Sequence, residues 1–418
     1  MRVNRTNPLT LALSRRGRGK KVTASYMKII HIITRLIVGG AQENTVLTCL
    51  AQADLGHEVV LLTGPPLGPE GSLLDWAAGL PFRTVLVPAM RRAIHPVRDL
   101  VAYHDLAKHL RQERPDVVHT HSSKAGVLGR RAAAAEGARG IVHTIHGLAF
   151  DAYRSRPANA LYRWADRRAG RWSHRQIAVC RRMADRAAEA GLAPRDRIDV
   201  VYSGMDAGRF RDAAGRRDAV RRAWGVGEAD FVFLKLARLF PMKGHRFVLP
   251  AFAEVARRHP GAVLVLAGEG ILRPRLEAEA RRLGVADRVR FLGLVPRRDV
   301  PGLLWAADAV VHVGLREGLA RVLPQAGLCR RPVVTFDVGG AAEVVRDGET
   351  GILLPPPPPG GPAAPAVAAL GEAMARLAAD PSAARAMGER WTAGDLDRFD
   401  YRRATREILE VYARLGRV

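Results

Sequence analysis

Residues 28–62 read KIIHIITRLIVGGAQENTVLTCLAQADLGHEVVLL, and this stretch decides the fold class. Two apolar, β-branched runs, Lys28–Ile33 and residues 58–62, flank a helical segment at residues 41–54. Strands that are apolar throughout belong in a sheet that is covered on both faces, and a helix between two such strands makes them parallel. The stretch therefore predicts a β-α-β unit of a doubly wound α/β protein.

The same alternation continues along the chain. Apolar runs recur at residues 84–87, 116–119, 141–145 and 198–202, then at Phe231–Leu236, Ala262–Ala267, 289–292, 309–313, 332–335 and Gly351–Leu354. A polar, arginine-rich segment separates the two series. We therefore predict two Rossmann-like domains, residues 27–205 and 229–395, joined by a linker at 206–228. Residues 396–418 are predicted to supply a helix that packs back on the N-terminal domain.

Two facing domains of this kind leave a cleft at the carboxyl ends of their strands, where ligands bind. After the first strand, Gly39 and Gly40 precede a helix and can bring free N–H groups close to an anion. After residues 231–236, Arg238 and Lys243 place two cations beside a second helix start, which suits a diphosphate. After residues 309–313, Glu317 is interpreted either as a ligand for sugar hydroxyls or as a helix-capping residue.

Seven segments together resemble the retaining glycosyltransferase family 4 of the GT-B fold. They are residues 37–42, 116–129 (DVVHTHSSKAGVLG), 143–147 (HTIHG), 238–245 (RLFPMKGH), 268–270, 316–325 and 336–344 (FDVGGAAEV). Their order and spacing are specific to that family, and the resemblance spans nearly the whole chain from Met27.

The resemblance implies a nucleotide-sugar donor bound mainly by the C-terminal domain and an acceptor bound mainly by the N-terminal domain. The catalytic residues it implies are His146, Arg238, Lys243 and Glu317. The donor-binding residues it implies are Gly39, Gly40, Arg238, Lys243, Glu317, Gly318, Leu319 and Gln325. The departing phosphate would itself help to deprotonate the acceptor hydroxyl, so that the configuration at the sugar is retained.

No metal and no cofactor are predicted. Metal-dependent transferases commonly carry an Asp-x-Asp triplet after a strand. Here that triplet is Asp395-Leu396-Asp397, which lies far from any predicted strand and is interpreted as an acidic pair at a helix start.

One residue departs from the family pattern. The family usually has two glutamates separated by seven residues, whereas this sequence has Glu317 and Gln325. The second glutamate normally accepts hydrogen bonds from the ribose of the donor. Because a charged hydrogen bond is worth about twice a neutral one, we expect donor binding to be weaker by about 1–2 kcal/mol. The alternative function is a pseudo-glycosyltransferase that has lost activity and acts as a binding protein.

The composition indicates an anionic partner. The 418 residues carry 66 Lys+Arg against 41 Asp+Glu, a net charge of +25. Residues 1–26 hold seven basic and no acidic side chains, so without this segment, interpreted as a disordered tail or a mis-called start, the charge is +18. Binding of a nucleotide sugar would explain part of this positive charge, since Arg238 and Lys243 would bind its diphosphate. A nucleic-acid-binding protein is the remote alternative, because no zinc-finger spacing, RNP-like strand or helix-turn-helix pair is found.

Two explanations of the remaining charge stay open. Basic and aromatic residues alternate between Arg154 and Trp172, as suits an anionic membrane surface, while general arginine usage would give only a solvated surface.

Three widely spaced cysteines, Cys49, Cys180 and Cys329, predict a cytoplasmic protein. The predicted activity is hexose or N-acetylhexosamine transfer, with a UDP-sugar as the expected donor, to a glycan or polyprenyl-linked acceptor in cell-envelope polysaccharide assembly. The predicted location is therefore the cytoplasmic face of the cell membrane.

Overall fold

The computed structural model of this chain describes residues 26–415, whose strands form two parallel sheets. The strands are β1 Lys28–Ile33, β2 Glu58–Thr63, β3 Arg83–Leu86, β4 Val117–His121, β5 Gly140–Ile145, β6 Arg175–Ala178, β7 Ile198–Val200, β8 Phe231–Leu236, β9 Ala262–Ala267, β10 Val289–Gly293, β11 Ala309–His312, β12 Val333–Phe336 and β13 Gly351–Leu354. The first sheet has the order β3-β2-β1-β4-β5-β6-β7 and the second has the order β10-β9-β8-β11-β12-β13. This architecture confirms the predicted fold class.

Helices connect the strands and cover the sheets. They are α1 Gly40–Asp54, α2 Leu74–Ala78, α3 Pro96–Glu113, α4 Ser123–Ala135, α5 Arg156–Gly170, α6 Arg181–Glu189, α7 Ala207–Arg211, α8 Arg217–Trp224, α9 His245–Arg258, α10 Arg273–Arg282, α11 Val300–Ala306, α12 Val322–Leu328, α13 Ala364–Ala379, α14 Pro381–Glu389, α15 Ala393–Leu396 and α16 Tyr401–Ala413. Each central strand buries nearly all of its residues, as a strand covered by helices on both faces must.

The C-terminal helix α16 lies against the N-terminal domain. Its Ile408, Leu409 and Val411 pack with Ile29 of β1 and Val117 of β4 in one buried cluster. The helix also packs on α1. The chain thus returns from the second domain to the first, and α16 closes the open end of the first sheet's core.

The structure differs from the sequence-based expectation in three elements. Strand β6 was not predicted, because its sequence RQIA is short and half polar. Its Arg175 binds Asp199 of β7 at 2.6 Å, and its Gln176 donates to the carbonyl of Leu192 at 3.0 Å. The linker segment contains two helices, α7 and α8, where one was expected. Helix α12 begins only at Val322, so Glu317 lies in a loop and not at a helix start.

Two further points concern the ends of the chain and membrane-spanning helices. The predicted tail at residues 1–26 lies, apart from Tyr26, outside the described residues, as do residues 416–418. Among the helices that the structure describes, none combines the length and the apolar character needed to cross a membrane.

Candidate active site

A cavity of about 510 Å³ lies between the two domains, at the carboxyl ends of β1, β5, β8 and β11. Residues of both domains line it. They include every site residue that the sequence predicted: Gly39, Gly40, His146, Arg238, Lys243, Glu317, Gly318, Leu319 and Gln325. The tertiary structure therefore brings together groups that are up to 286 residues apart in the chain.

The centre of the site is the Glu317 carboxylate. Its Oε1 lies 2.7 Å from Nζ of Lys243 and 3.1 Å from Nε2 of His312. Burial alone would raise the pKa of this carboxyl, but Lys243 and His312 outweigh the burial and hold the pKa well below its usual range. Glu317 is therefore an ionised hydrogen-bond acceptor at neutral pH.

His312 forms a hydrogen bond with Glu317 and not an ion pair. Burial lowers the pKa of His312, although Glu317 opposes the shift, and the imidazole is neutral at pH 7. Its Nε2 then donates to Glu317, while the buried Nδ1 has no partner among the described residues. Because Glu317 precedes α12 by five residues, the capping interpretation of this glutamate is wrong.

Arg238 reaches across the cleft. Its Nη1 lies 3.3 Å from Oε1 of Glu70, a buried carboxylate of the N-terminal domain. Nη2 of Arg35 contacts the same oxygen at 3.2 Å. Two guanidinium groups thus share one carboxylate, which leaves an excess positive charge at the predicted diphosphate position. Nε2 of His245, at the start of α9, donates to the carbonyl of Arg238 at 3.0 Å and so fixes the loop.

The loop between β1 and α1 supplies backbone N–H groups to the same cavity. Gly39 precedes α1 in an extended conformation, and no side chain caps this helix. The first amides of a long uncapped helix form an anion site, since they have no partner within the helix. Glu43, in the first turn, binds Arg321 at 3.0 Å and Arg297 at 2.6 Å. These ion pairs hold the loop against the C-terminal domain.

His146 follows β5 and faces the cleft from the N-terminal domain. Burial and the nearby Arg321 lower its pKa to about 4, so it is neutral at pH 7. Its Nε2 lies 3.1 Å from Nδ1 of His121, which is fully buried. A Cβ at Gly318 would lie 2.1 Å from the carbonyl oxygen of His146, so only glycine lets the Glu317 loop approach this closely.

Gln325 lies on α12 with 7% of its surface exposed and borders the cavity, as the sequence predicted. Leu319, before the same helix, is 8% exposed and packs into the core between the domains. Arg321, one turn before Gln325, donates to the carbonyls of Gly40 and Gly204 as well as to Glu43. The end of the cavity near Gln325 is therefore cationic.

Sequence reasoning missed three groups of functional interest. His312 ends an apolar strand, and a polar residue at that position was the available signal. Glu43 and Glu70 pair with arginines that are distant in sequence, so no local pattern marks them. Lys235, the second-last residue of β8, is fully buried, and its Nζ has no hydrogen-bond partner within the described residues. Burial and nearby Lys243 lower its pKa to about 7.

Charge in the cavity favours an anionic ligand. Among its described lining residues are the seven cations Arg35, Arg92, Arg209, Arg238, Lys243, Arg297 and Arg321, and the four anions Glu43, Glu70, Glu269 and Glu317. The surplus of positive charge suits a diphosphate, which multiple Arg and Lys donors bind through charge-assisted hydrogen bonds.

Two further groups of potential metal ligands are not part of the cavity lining. Asp395 lies in the first turn of the short helix α15, accepts there from the backbone N–H of Thr392, and binds Arg346. Asp397 is the C-cap of the same helix, so the helix-start interpretation holds for Asp395 only. Ring nitrogens of His31, His119 and His121 lie within 4.8 Å of one another beneath the first sheet's end. These nitrogens are already paired with neighbouring side chains, as described below.

Comparison with known proteins places these features in a family. Residues 38–209 match the family model described as Glycosyltransferase Family 4, and residues 216–391 match the one described as Glycosyl transferases group 1. The Escherichia coli UDP-Gal:alpha-D-GlcNAc-diphosphoundecaprenol alpha-1,3-galactosyltransferase is 27% identical over 80% of this chain and 85% of its own length. The D-inositol 3-phosphate glycosyltransferase of Rhodococcus erythropolis is 30% identical over 76% of this chain and 75% of its own.

A solved structure shows the same fold. The crystal structure of Anabaena HepE in complex with UDP-glucose superposes with a TM-score of 0.76, at 23% identity, over 93% of this chain and all of that one. Both halves of the sequence match family models, and a 30% identical relative aligns over three quarters of the chain. The protein therefore belongs to the family 4, group 1 glycosyltransferases and is a transferase of the GT-B fold.

Proposed function

We propose that this protein is a retaining, metal-independent glycosyltransferase that moves a hexose or N-acetylhexosamine from a UDP-sugar to a glycan or lipid-linked acceptor. The observation that carries the proposal is the meeting of Arg238, Lys243 and Glu317 with His146 and the uncapped start of α1 in one cavity. Two similar proteins support the donor class, since the E. coli relative is named for UDP-Gal and HepE was crystallised with UDP-glucose.

The cations of the cavity would stabilise the leaving group. When the bond between sugar and diphosphate breaks, negative charge grows on the diphosphate oxygens. Arg238, Lys243 and the first amides of α1 border the position of that charge. Preorganised donors of this kind are typically the largest single contribution to catalysis, because they need no reorganisation during the reaction. The departing phosphate would take the proton of the acceptor hydroxyl on the same face of the sugar.

Glu317 would orient the sugar and not exchange a proton. A general base works best when its pKa lies near the operating pH, and the pKa of Glu317 is held far below it by Lys243 and His312. An ionised carboxylate accepts hydrogen bonds from sugar hydroxyls instead. His146 faces the same space from the N-terminal domain and would contact the sugar near its anomeric carbon.

Lys243 would bind the donor and keep its contact with Glu317. Its Nζ carries three protons and uses one on Glu317 at 2.7 Å. The remaining protons can point to a β-phosphate without breaking this bond. The pair would thus connect the leaving group to the sugar that is transferred, and no metal or organic cofactor is required by this scheme.

The experiment is a donor screen with the purified protein. Release of nucleoside diphosphate is measured with UDP-, GDP- and ADP-sugars, and the anomeric configuration of the transferred sugar is read by NMR. We expect turnover with a UDP-sugar and a product with the configuration of the donor. Inversion would overturn the retaining mechanism. If none of these donors is turned over and none is bound, the binding-protein alternative is favoured. The presence of Gln325 in place of the second glutamate supports that alternative.

We also propose that the N-terminal domain contacts an anionic membrane at the cytoplasmic face. Helix α5 exposes Leu161 and Trp164, which are 55% and 65% accessible and lie three residues apart on one face. Arg163, Arg167 and Arg168 surround them and are exposed. Amphipathic helices with aromatic and basic residues bind anionic lipid surfaces. The E. coli relative is named for an acceptor linked to diphosphoundecaprenol, which supports a lipid-linked acceptor for this protein too.

Vesicle flotation tests this contact. The protein should float with phosphatidylglycerol vesicles at low salt and not with phosphatidylcholine vesicles, and Trp164→Ser should weaken the binding. Ile271→Ser is the matched control, because Ile271 is equally exposed, at 66%, but lies on the C-terminal domain. If both substitutions weaken vesicle binding equally, or if the protein shows no preference for anionic lipid, the membrane contact of α5 is refuted. The basic residues then form only a solvated surface. A salt-dependent gel shift with the same protein would reveal binding to nucleic acid instead.

A further inference from the structure

A continuous series of hydrogen bonds runs from the cleft into the N-terminal domain. Nε2 of His146 lies 3.1 Å from Nδ1 of His121, and Nε2 of His121 lies 2.9 Å from Nδ1 of His31. Nε2 of His31 then lies 2.7 Å from Oε1 of Gln52 on α1. His31 and Gln52 are fully buried and His121 is 1% exposed. Four side chains from β1, β4, α1 and the loop after β5 thus form one series of direct hydrogen bonds.

The series continues to the C-terminal helix. Nε2 of Gln52 donates to the Tyr412 hydroxyl at 3.4 Å, and that hydroxyl lies 2.5 Å from Nδ1 of His119. Nε2 of His119 lies 2.7 Å from Oγ1 of Thr144. The Gln52 amide therefore has a partner on each side, with its oxygen facing His31 and its nitrogen facing the Tyr412 hydroxyl.

The amide gives the series a direction. Its oxygen can only accept, so His31 must carry its proton on Nε2 and accept at Nδ1. His121 must then donate from Nε2 and accept at Nδ1, and His146 must donate from Nε2. Burial lowers the pKa of all three imidazoles, so each is neutral and carries one proton. The lone pair of His146 is consequently left on Nδ1.

We propose that Gln52, His31 and His121 are positioning residues that hold His146 in the tautomer with a bare Nδ1, ready to accept a hydrogen bond from a hydroxyl of the substrate. The role in catalysis rests on the proposed function, whereas the tautomer itself does not. The other tautomer would present an N–H at Nδ1, which can donate to a hydroxyl oxygen but cannot accept the proton of that hydroxyl, so this hydrogen bond would be lost.

The same rings are close enough to suggest a metal site, and the hydrogen bonds argue against it. A metal ion needs bare nitrogens that converge on one point. Here Nδ1 of His31 and Nε2 of His121 face each other at 2.9 Å with one proton between them, and both nitrogens of His119 are paired with Tyr412 and Thr144. Each donor of the cluster has an acceptor, as a buried polar network requires.

The first test needs no substrate and is read on the unsubstituted protein, with one variant used only for assignment. In protein labelled with ¹⁵N-histidine, long-range ¹H–¹⁵N correlation spectra distinguish a protonated from a bare ring nitrogen. We expect His146, assigned by its loss in His146→Gln, to be protonated on Nε2 and bare on Nδ1. A proton on Nδ1 would overturn the proposal, even if the enzyme turns over. Failure of the donor screen would leave this measurement unaffected, so the two proposals fail separately.

The second test breaks the series at its far end. Gln52→Leu removes the acceptor that sets the direction, and we expect both tautomers of His146 to appear, three side chains away. The kcat should then fall by about two-fold or more, because part of the population holds the wrong tautomer, while KM for the donor is unchanged. A single His146 tautomer in Gln52→Leu would overturn the role of Gln52.

The matched control is Thr144→Val. Thr144 is also buried, lies on β5 two residues before His146, and takes one histidine hydrogen bond, but it stands outside the path from Gln52 to His146. Its replacement should leave the His146 tautomer unchanged, and a tautomer change there would indicate a general packing effect. One equivalent of metal in the purified protein, lost in His31→Gln, would overturn the proposal in favour of a metal centre.

Discussion

Gln325→Glu restores the family's second glutamate and tests how this site binds ribose. Gln325 is 7% exposed and borders the cavity on α12. A neutral hydrogen bond contributes about 0.5–1.5 kcal/mol and one to a charged group about 1.5–3 kcal/mol, so the substitution should gain about 1–2 kcal/mol. Arg321, one helical turn away, would offset the burial of the new carboxylate and keep it ionised.

The gain corresponds to a Kd that is lower by about 5- to 30-fold. Titration calorimetry with UDP and with the UDP-sugar identified in the screen measures it. Gln42→Glu is the matched control, since Gln42 lines the same cavity at the uncapped start of α1. A carboxylate there should repel the diphosphate and weaken binding. If Gln325→Glu brings no gain, the ribose assignment of Gln325 is refuted, and an equal gain in both variants would point to a general charge effect.

Three further predictions follow from the ion pairs and buried charges of the site. Lys243→Met should lower kcat by about 10²- to 10³-fold in steady-state assays, because a cation at the leaving group is lost, whereas Lys108→Met, at an exposed position of α3, should leave it unchanged. Glu43→Gln should lower the free energy of unfolding in urea by about 1–3 kcal/mol, because Arg297 and Arg321 lose a charged acceptor between the domains; an unchanged value would contradict this role. Lys235→Met should raise the free energy of unfolding at pH 7. The pKa of Lys235 is lowered to about 7, so above pH 7 the unfolded state binds the proton that the folded state has released. Wild-type stability therefore gains from Lys235 as pH rises from 7 towards 10, and the advantage of the variant should shrink by up to about 1.4 kcal/mol per pH unit. A pH-independent difference would show that Lys235 is charged in the fold.

The local sequence pattern was enough to predict most of the strands and the α/β fold class. Strands β1, β8, β9 and β13 have the predicted bounds, because each is an apolar run that ends at a glycine, a polar residue or a loop. Such strands must be buried on both faces, and that requirement alone yields the doubly wound architecture. Strand β6 escaped prediction because its polar residues are satisfied by Asp199 and by the Leu192 carbonyl, which are distant partners.

The sequence also indicated which loops line the cavity, since Gly39, His146, Arg238 and Glu317 each follow a strand whose carboxyl end faces the cleft. That a diphosphate binds there remains a prediction, which rests on the positive charge of Arg238 and Lys243. The interpretation of Glu317 as a helix cap failed, because α12 begins five residues later, at Val322.

The tertiary structure alone decided which partners each charge has. Glu317 is held ionised by Lys243 and His312, and Arg238 shares Glu70 with Arg35, although 168 residues separate Arg238 from Glu70. The direction of the hydrogen bonds behind His146 is set by Gln52 in another helix. A pattern along the chain carries propensity and burial, but the pKa of a group and the tautomer of an imidazole depend on atoms a few ångströms away in space. Only the fold brings those atoms together.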